Sequence, residues 1–258
     1  MELEKWEFNV TDLSSNESWG VESVLEGVGI PKYRGSNIQV PFQHGTRWIK
    51  KRYDRRKVVL SMWVKGTSRT NLDQNIDAFL KTIGIPGVHP LRRTMRSGEI
   101  REAQAEVCSE INFVVKEPGY AKFAFELELA DPFFYGQTKV SETKILSSAS
   151  TSWMHSYIGS APCTDVVITF TGPLANPKIE NLNNGIWLQY LGSIANGETV
   201  VLNTADFTCI KGSTNMIPAV KHGGDSYWIT LLSGSNSMKA TTDTTGGSIK
   251  IEYYPAYF

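Results

Sequence analysis

A chain of 258 residues with 26 basic and 26 acidic side chains carries no formal net charge, which argues against bulk electrostatic binding to nucleic acid or anionic lipid. No run of about 18 apolar residues occurs, so no membrane-spanning helix is expected. The three cysteines, Cys108, Cys163 and Cys209, are far apart and form no CxxC, so neither a disulfide framework nor a zinc ribbon is indicated.

The opening MELEKWEFNV is acidic and has no apolar core, unlike a secretory leader. Its Trp6, Phe8 and Val10 alternate with Lys5, Glu7 and Asn9, which predicts a first strand over 3–10. Residues 11–46 are punctuated by Gly and Pro and read as irregular. Within them Ile38-Gln39-Val40 is a short strand candidate, followed by a turn at Gln43-His44-Gly45. The span 47–65 holds the densest charge: Lys50, Lys51, Arg52, Arg55, Arg56 and Lys57 against Asp54. Its KVVLSMWV portion is apolar on both faces and predicts a central strand. The basic cluster is a candidate contact surface for an acidic partner or a nucleic acid. The plainer reading, favoured by the carboxylates in the same half, is a solvated edge or subunit interface.

Residues 70–84 predict the one helix, with Leu72, Ile76, Phe79, Leu80 and Ile83 at helical spacing. Thr70 and Asp73 are its candidate cap, and Gly84 and Pro86 its stop. Residues 99–116 predict a strand with Val107, Ile111, Phe113 and Val115 on one face. Glu117-Pro118-Gly119 then turns it into a second, Ala121–Leu129, whose Ala121, Phe123, Phe125, Leu127 and Leu129 face inward. Pro132 ends that strand. The charge density also drops here, with about 37 charged residues in 1–136 and about 15 beyond, so a domain seam is expected, dividing 1–133 from 134–258.

Residues 140–157 are polar and weakly patterned and read as a crossing segment. Short β runs follow at 165–170, 177–180, 185–190, 198–202, 226–232 and 248–253, separated by Gly and Asn turns, the pattern of a β-sandwich. The fold class expected is mainly β with one helix.

The usual phosphate-loop, dinucleotide, zinc-protease and nucleophile-elbow motifs are absent, and His44, His89, His155 and His222 are not at metal-ligand spacing. His222 lies near Asp225 and Ser226, but proximity in sequence is not triad geometry, and a turn is the simpler reading. No catalytic, cofactor or metal residue is assigned. Trp187, Tyr190, Tyr227 and Trp228 could stack on sugars, with Trp187 and Trp228 as the glycan candidates. Their apolar surroundings favour core roles.

The order of RYDRRKVVLSMWVKGTS, LDQNIDAFL, LRRTMRSGEIR, FAFELELADPFFYG, GPLANPKIEN, GIWLQYLGSIANGETVVLNT, WITLLSGSNSMKAT and IEYYPAYF resembles the distal tail (Dit) family of tailed phages over nearly the whole chain. The resemblance implies an N-terminal tail-tube-like β-sandwich or barrel and a C-terminal galectin-like β-sandwich. It further implies a hexameric ring at the virion tail tip, made in the bacterial host cytoplasm and requiring no cofactor. That ring would join the tail tube protein of a non-contractile tail to the hub or fibre, beside the tape measure protein, and support receptor-binding proteins. The sugar-binding pattern of true galectins is not recognisable, so lectin activity is not carried over. A carbohydrate- or host-surface-binding adhesin is the alternative, and a wall hydrolase ranks last.

Overall fold

The computed structural model describes residues 4–14, 17–224 and 228–258. It divides into two units, residues 1–135 with Phe258, and residues 136–257. Asp225, Ser226 and Tyr227 lie outside the described residues.

In the first unit the strands are β1 Lys5–Phe8, β2 Thr11–Asp12, β3 Trp19–Glu26, β4 Tyr33–Arg34, β5 Ile38–Gln39, β6 Thr46–Arg47, β7 Arg52–Tyr53 and β8 Arg56–Lys65. After helix α1, Arg69–Ile83, come β9 His89–Thr94, β10 Ile100–Val107, β11 Val114–Glu117 and β12 Tyr120–Leu129. The main antiparallel path runs β2-β1-β9-β10-β12-β8-β3, with β11 paired to β12. As expected, β8 is an interior strand, paired with β12 over its full length and with β3 from Val59 to Val64. The alternation of β12 is also as expected, with Ala121, Phe123, Phe125, Leu127 and Leu129 all buried. The helix covers this face: the Phe79 ring meets Phe123 at 4.9 Å, Phe125 at 6.3 Å and Trp19 at 5.6 Å.

Several expectations are corrected in detail. The helix cap is Ser68, which accepts from the Asn71 N–H at 3.2 Å, rather than Thr70 with Asp73. Asp73 instead pairs with Arg69 one turn back. Leu80 faces outward, while Leu72, Phe79 and Ile83 are buried. The predicted strand 99–116 is two strands, because the chain leaves the ladder between Val107 and Val114, and β11 is exposed along its length. The 11–46 stretch contains an eight-residue strand, β3, beside shorter ones. Gly20 on β3 sits flat against the Trp63 ring of β8, where a Cβ would come within 2.7 Å of it.

The first strand stops at Phe8. Asn9 and Val10 both have positive φ, 46° and 61°, and join the paired residues Phe8 and Thr11 as a two-residue hairpin loop. Val10 therefore does not face the core as alternation suggested; it is 81% exposed. A β-branched residue is strained at such φ. Val10→Gly is expected to raise stability by about 1 kcal/mol. Urea unfolding measures it, and a loss of stability would contradict the strain.

The second unit follows β13 Phe134–Gly136. Its strands are β14 Val140–Ile145, β15 Ser150–Tyr157, β16 Val166–Thr171, β17 Leu174–Ala175, β18 Lys178–Asn181, β19 Ile186–Tyr190, β20 Ser193–Ile194, β21 Thr199–Asn203, β22 Thr208–Lys211, β23 Thr214–Asn215, β24 Val220–Gly223, β25 Gly234–Thr241 and β26 Ser248–Tyr253. One sheet runs β14-β26-β16-β21-β22-β23 and the other β15-β25-β18-β19-β24. Ile168, Phe170, Leu202 and Ile251 from the first sheet and Ile179, Leu188, Met238 and Ala240 from the second share one buried core. The stretch 140–157 is thus not a crossing segment. It supplies one strand to each sheet, paired fully with β26 and β25. Within the expected strand 226–232, the described residues contain only an isolated bridge, Leu231 to Cys163.

Candidate assembly surface

Residues 33–53 fold back on themselves as a narrow two-stranded ribbon. Tyr33 pairs with Tyr53 and Arg34 with Arg52 at its base; Ile38 pairs with Arg47 and Gln39 with Thr46 further out. The turn expected at Gln43-His44-Gly45 closes it, helped by positive φ at Phe42 and Gly45. The base is anchored by the Asp54 N–H donating to Lys32 O at 2.8 Å, and by Tyr53 stacked on Tyr33 at 5.0 Å and edge-on to Phe133 and Phe258. Burial and the Tyr33 hydroxyl push the Tyr53 phenol up to about 12, so it is neutral at any ordinary pH.

The ribbon's outer part buries little of its own surface. Ile38 is exposed, Trp48 is 84% exposed and Phe42 fully so. A two-stranded ribbon is marginal in water, and large exposed apolar side chains on one element mark a contact surface. Between Glu26 and Asp54 there is no carboxylate, whereas Lys32, Arg34, Arg47, Lys50, Lys51 and Arg52 all fall there. The surface is therefore apolar and cationic together. The long acid-free run was visible in the sequence; Phe42 and Trp48 as anchors were not.

The six basic candidates divide three ways. Lys50, Lys51 and Arg52 lie on the ribbon's returning side. Arg55 and Lys57 pair with Glu128 at 2.9 Å and Glu126 at 2.5 Å on β12. Hydrogen bonding and charge from Glu126 hold the Lys57 ammonium above its usual range. Arg56 points the other way and is only 3% exposed, its guanidinium 5.4 Å from the Phe134 ring centre. Burial, then the charge of Arg93, pulls it down to about 10 against the opposing pull of Asp131, so it stays charged at neutral pH.

The glycan candidates do not share a surface role. Trp187 stands on the outer side of its strand, where Lys178 Nζ lies 4.6 Å from the ring centre and Gly223 packs on the indole. That corrects the core reading for Trp187. Trp228 packs against the core edge-on to Phe207, and Tyr190 is buried.

The sequence missed one buried polar chain. Glu142 on β14 meets His155 Nδ1 on β15, and His155 Nε2 meets the Tyr253 hydroxyl on β26 at 2.9 Å, joining the two sheets. Trp153 Nε1 and Lys144 Nζ also donate to Glu142, at 3.2 and 2.9 Å. Partial burial raises the Glu142 carboxyl, but hydrogen bonds from Lys144 and His155 outweigh it and leave the group below its ordinary 4.5. A carboxylate depressed by folding contributes stability above its unfolded pKa and loses it as pH falls through the folded one. The second unit is therefore expected to weaken below about pH 4.5, and Glu142→Gln to flatten that slope. Urea midpoints across acid pH measure this, and an unchanged slope in the variant removes Glu142 from the account. Among the described residues no three His, Cys, Asp or Glu side chains converge as metal ligands, and no helix is long and apolar enough to cross a membrane.

Residues 158–257 match the family model described as siphovirus-type tail component, C-terminal domain. Over its full length the chain also superposes on the crystal structure of the SPP1 Dit (gp 19.1) protein, described as a paradigm of hub adsorption apparatus in Gram-positive-infecting phages. The TM-score is 0.69 at 15% identity, with 100% of each chain covered.

The chain is similar to the Dit family in that C-terminal domain and in its overall fold. Lower-scoring likenesses are to chains of the phage p2 baseplate in its activated conformation. With Sr the TM-score is 0.42 at 10% identity, covering 98% of each chain; with Ca it is 0.41 at 10%, covering 97% and 98%. No curated protein matches by sequence.

Proposed function

We propose that this chain is a structural protein of the virion tail tip, six copies of which close into a ring between the tail tube and the hub or fibre. The carrying observation is the 33–53 ribbon, whose exposed Phe42, Trp48 and Ile38 find no cover in their own unit. A head-to-tail contact repeated by rotation closes into a ring, and it needs a projecting element on one side that seats on a neighbour. In this reading the first unit is the tail-tube-like ring former. The second is a galectin-like sandwich that supports receptor-binding proteins. The tail tube protein, the hub or fibre and the tape measure protein are the neighbours. The role is mechanical rather than enzymatic. The adhesin alternative has less support, because Lys178 covers the Trp187 ring and Trp228 packs on the core.

Mass measurement of the full chain over a wide concentration range, with electron microscopy of any large species, tests the ring. Six-fold rings are expected, weakening as salt rises because the ribbon is cationic. A strict monomer at high concentration would overturn the ring, and assembly indifferent to salt would remove the charged ribbon from the contact.

A further inference from the structure

The first unit leaves two surfaces of opposite charge uncovered. One is the ribbon, within the acid-free run 27–53 and its six cations. The other is its inverse. Between Arg101 and Lys116 the chain has no lysine or arginine and three glutamates, Glu102, Glu106 and Glu110. Glu102 is matched by Arg92 at 2.6 Å. Glu106 and Glu110 are exposed and have no ion-pair partner among the described residues. Glu106 stands opposite Glu128 in the β10–β12 ladder, a like-charge pair in which Arg55 engages only Glu128.

The stretch that follows is fixed in place yet open on its outer side. The Cys108 N–H donates to Glu126 O at 3.0 Å, Ser109 Oγ accepts from the Glu126 N–H at 2.9 Å, and the Phe113 ring meets Phe123 at 4.6 Å. Beyond it, β11 pairs with β12 alone and exposes both Val114 and Val115. An edge strand with exposed apolar side chains calls for cover. Both surfaces thus combine exposed apolar side chains with charge of one sign, and the signs are opposite. They also lie on different flanks. The ribbon leaves from the β3–β8 connection, whereas 106–115 runs along the edge of β12 that faces away from β8. Complementary patches on different flanks of one chain make a head-to-tail contact between copies rather than a self-facing one.

We propose that the 106–115 segment is the seat for the ribbon of the next copy, with Glu106 and Glu110 meeting its cations and Val114 and Val115 meeting Phe42 and Trp48. This rests on the ring reading and names the surface on which the ribbon lands.

The test reverses charge on each side in the full chain. Arg34→Glu with Arg47→Glu makes the ribbon repel the seat, and Glu106→Lys with Glu110→Lys makes the seat repel the ribbon. All four side chains are exposed, so the melting midpoint is expected to hold in both variants, which shows that they fold. Each variant alone is expected to self-associate about 10-fold or more weakly, because like charges now meet. An equal mixture of the two is expected to recover assembly, since every ribbon then finds an opposite seat on the other variant. Sedimentation and electron microscopy read both effects. Recovery as open chains rather than closed six-fold rings keeps the seat and counts against the ring. Rings that form normally from the Glu106→Lys, Glu110→Lys variant overturn the seat and leave the ring standing. A mixture as weak as its parts, from a chain that forms rings when unaltered, does the same. An unaltered chain and a mixture that both stay monomeric overturn seat and ring together.

Discussion

Replacing Phe42 and Trp48 together with serine is expected to weaken self-association by about 100-fold or more while leaving the melting midpoint almost unchanged. Aromatic anchors at the centre of a contact typically contribute about 2 kcal/mol or more each, and each 1.4 kcal/mol is tenfold in affinity. Both side chains stand in solvent in the isolated chain, at 108% and 84% exposure, so truncating them opens no cavity and removes no core contact. The base of the ribbon, with Tyr33, Tyr53, Phe133 and Phe258, is untouched by the change. Stability and assembly should therefore separate in this variant. Sedimentation at several concentrations reads the first effect and thermal melting the second. Neutralising Lys50 and Lys51 to glutamine should act more weakly and chiefly flatten the salt dependence, since charges at a wet rim govern encounter more than residence. If the double serine variant assembles like the unaltered chain, the ribbon is not the arm, and the interface lies on another surface of the first unit.

What the sequence revealed and what it hid follow one physical distinction. Strands with one buried and one wet face announce themselves, and β12 is the clearest case. The eight-residue β3 does not: only Gly20 is buried on it, and it pairs with β8 through two register shifts, so strict alternation is lost. The missed β15 carries Trp153, His155 and Tyr157 toward the other sheet. A histidine there reads as polar until Glu142 and Tyr253 are known to satisfy it. Arg56 was legible and was misplaced. In β8 it shares the buried face with Val58, Leu60, Met62 and Val64, so counting in twos from the core residues puts it inside. Grouping it with Arg55 and Lys57 by charge hid that register. The ribbon was hidden because pairing between such short strands leaves almost no hydrophobic pattern, although the missing carboxylates marked the segment as unusual.

The buried amides of the second unit were equally invisible, and they predict the largest loss of stability. Asn236→Leu is expected to cost about 3–5 kcal/mol although the two side chains share their branching and heavy-atom count. Asn236 is fully buried. Its Oδ1 accepts from Asn181 Nδ2 at 2.8 Å and from the Leu232 N–H at 2.9 Å, while its Nδ2 donates to Leu232 O at 2.7 Å and Gly234 O at 3.2 Å. One side chain thus closes the turn leading into β25 and ties it to β18. Leucine fills the space but leaves those donors and acceptors unmatched, and each orphaned buried group costs about 1–3 kcal/mol. Asn181 keeps its bond to Thr230 O at 2.9 Å, which limits the damage to the groups facing residue 236. Urea unfolding of the full chain measures the change. A loss below about 1 kcal/mol would mean that water replaces the amide at the turn. Because the network lies wholly in the second unit, the same variant should leave concentration-dependent assembly through the ribbon intact below its melting temperature. A joint loss of stability and assembly would instead place the second unit in the contact.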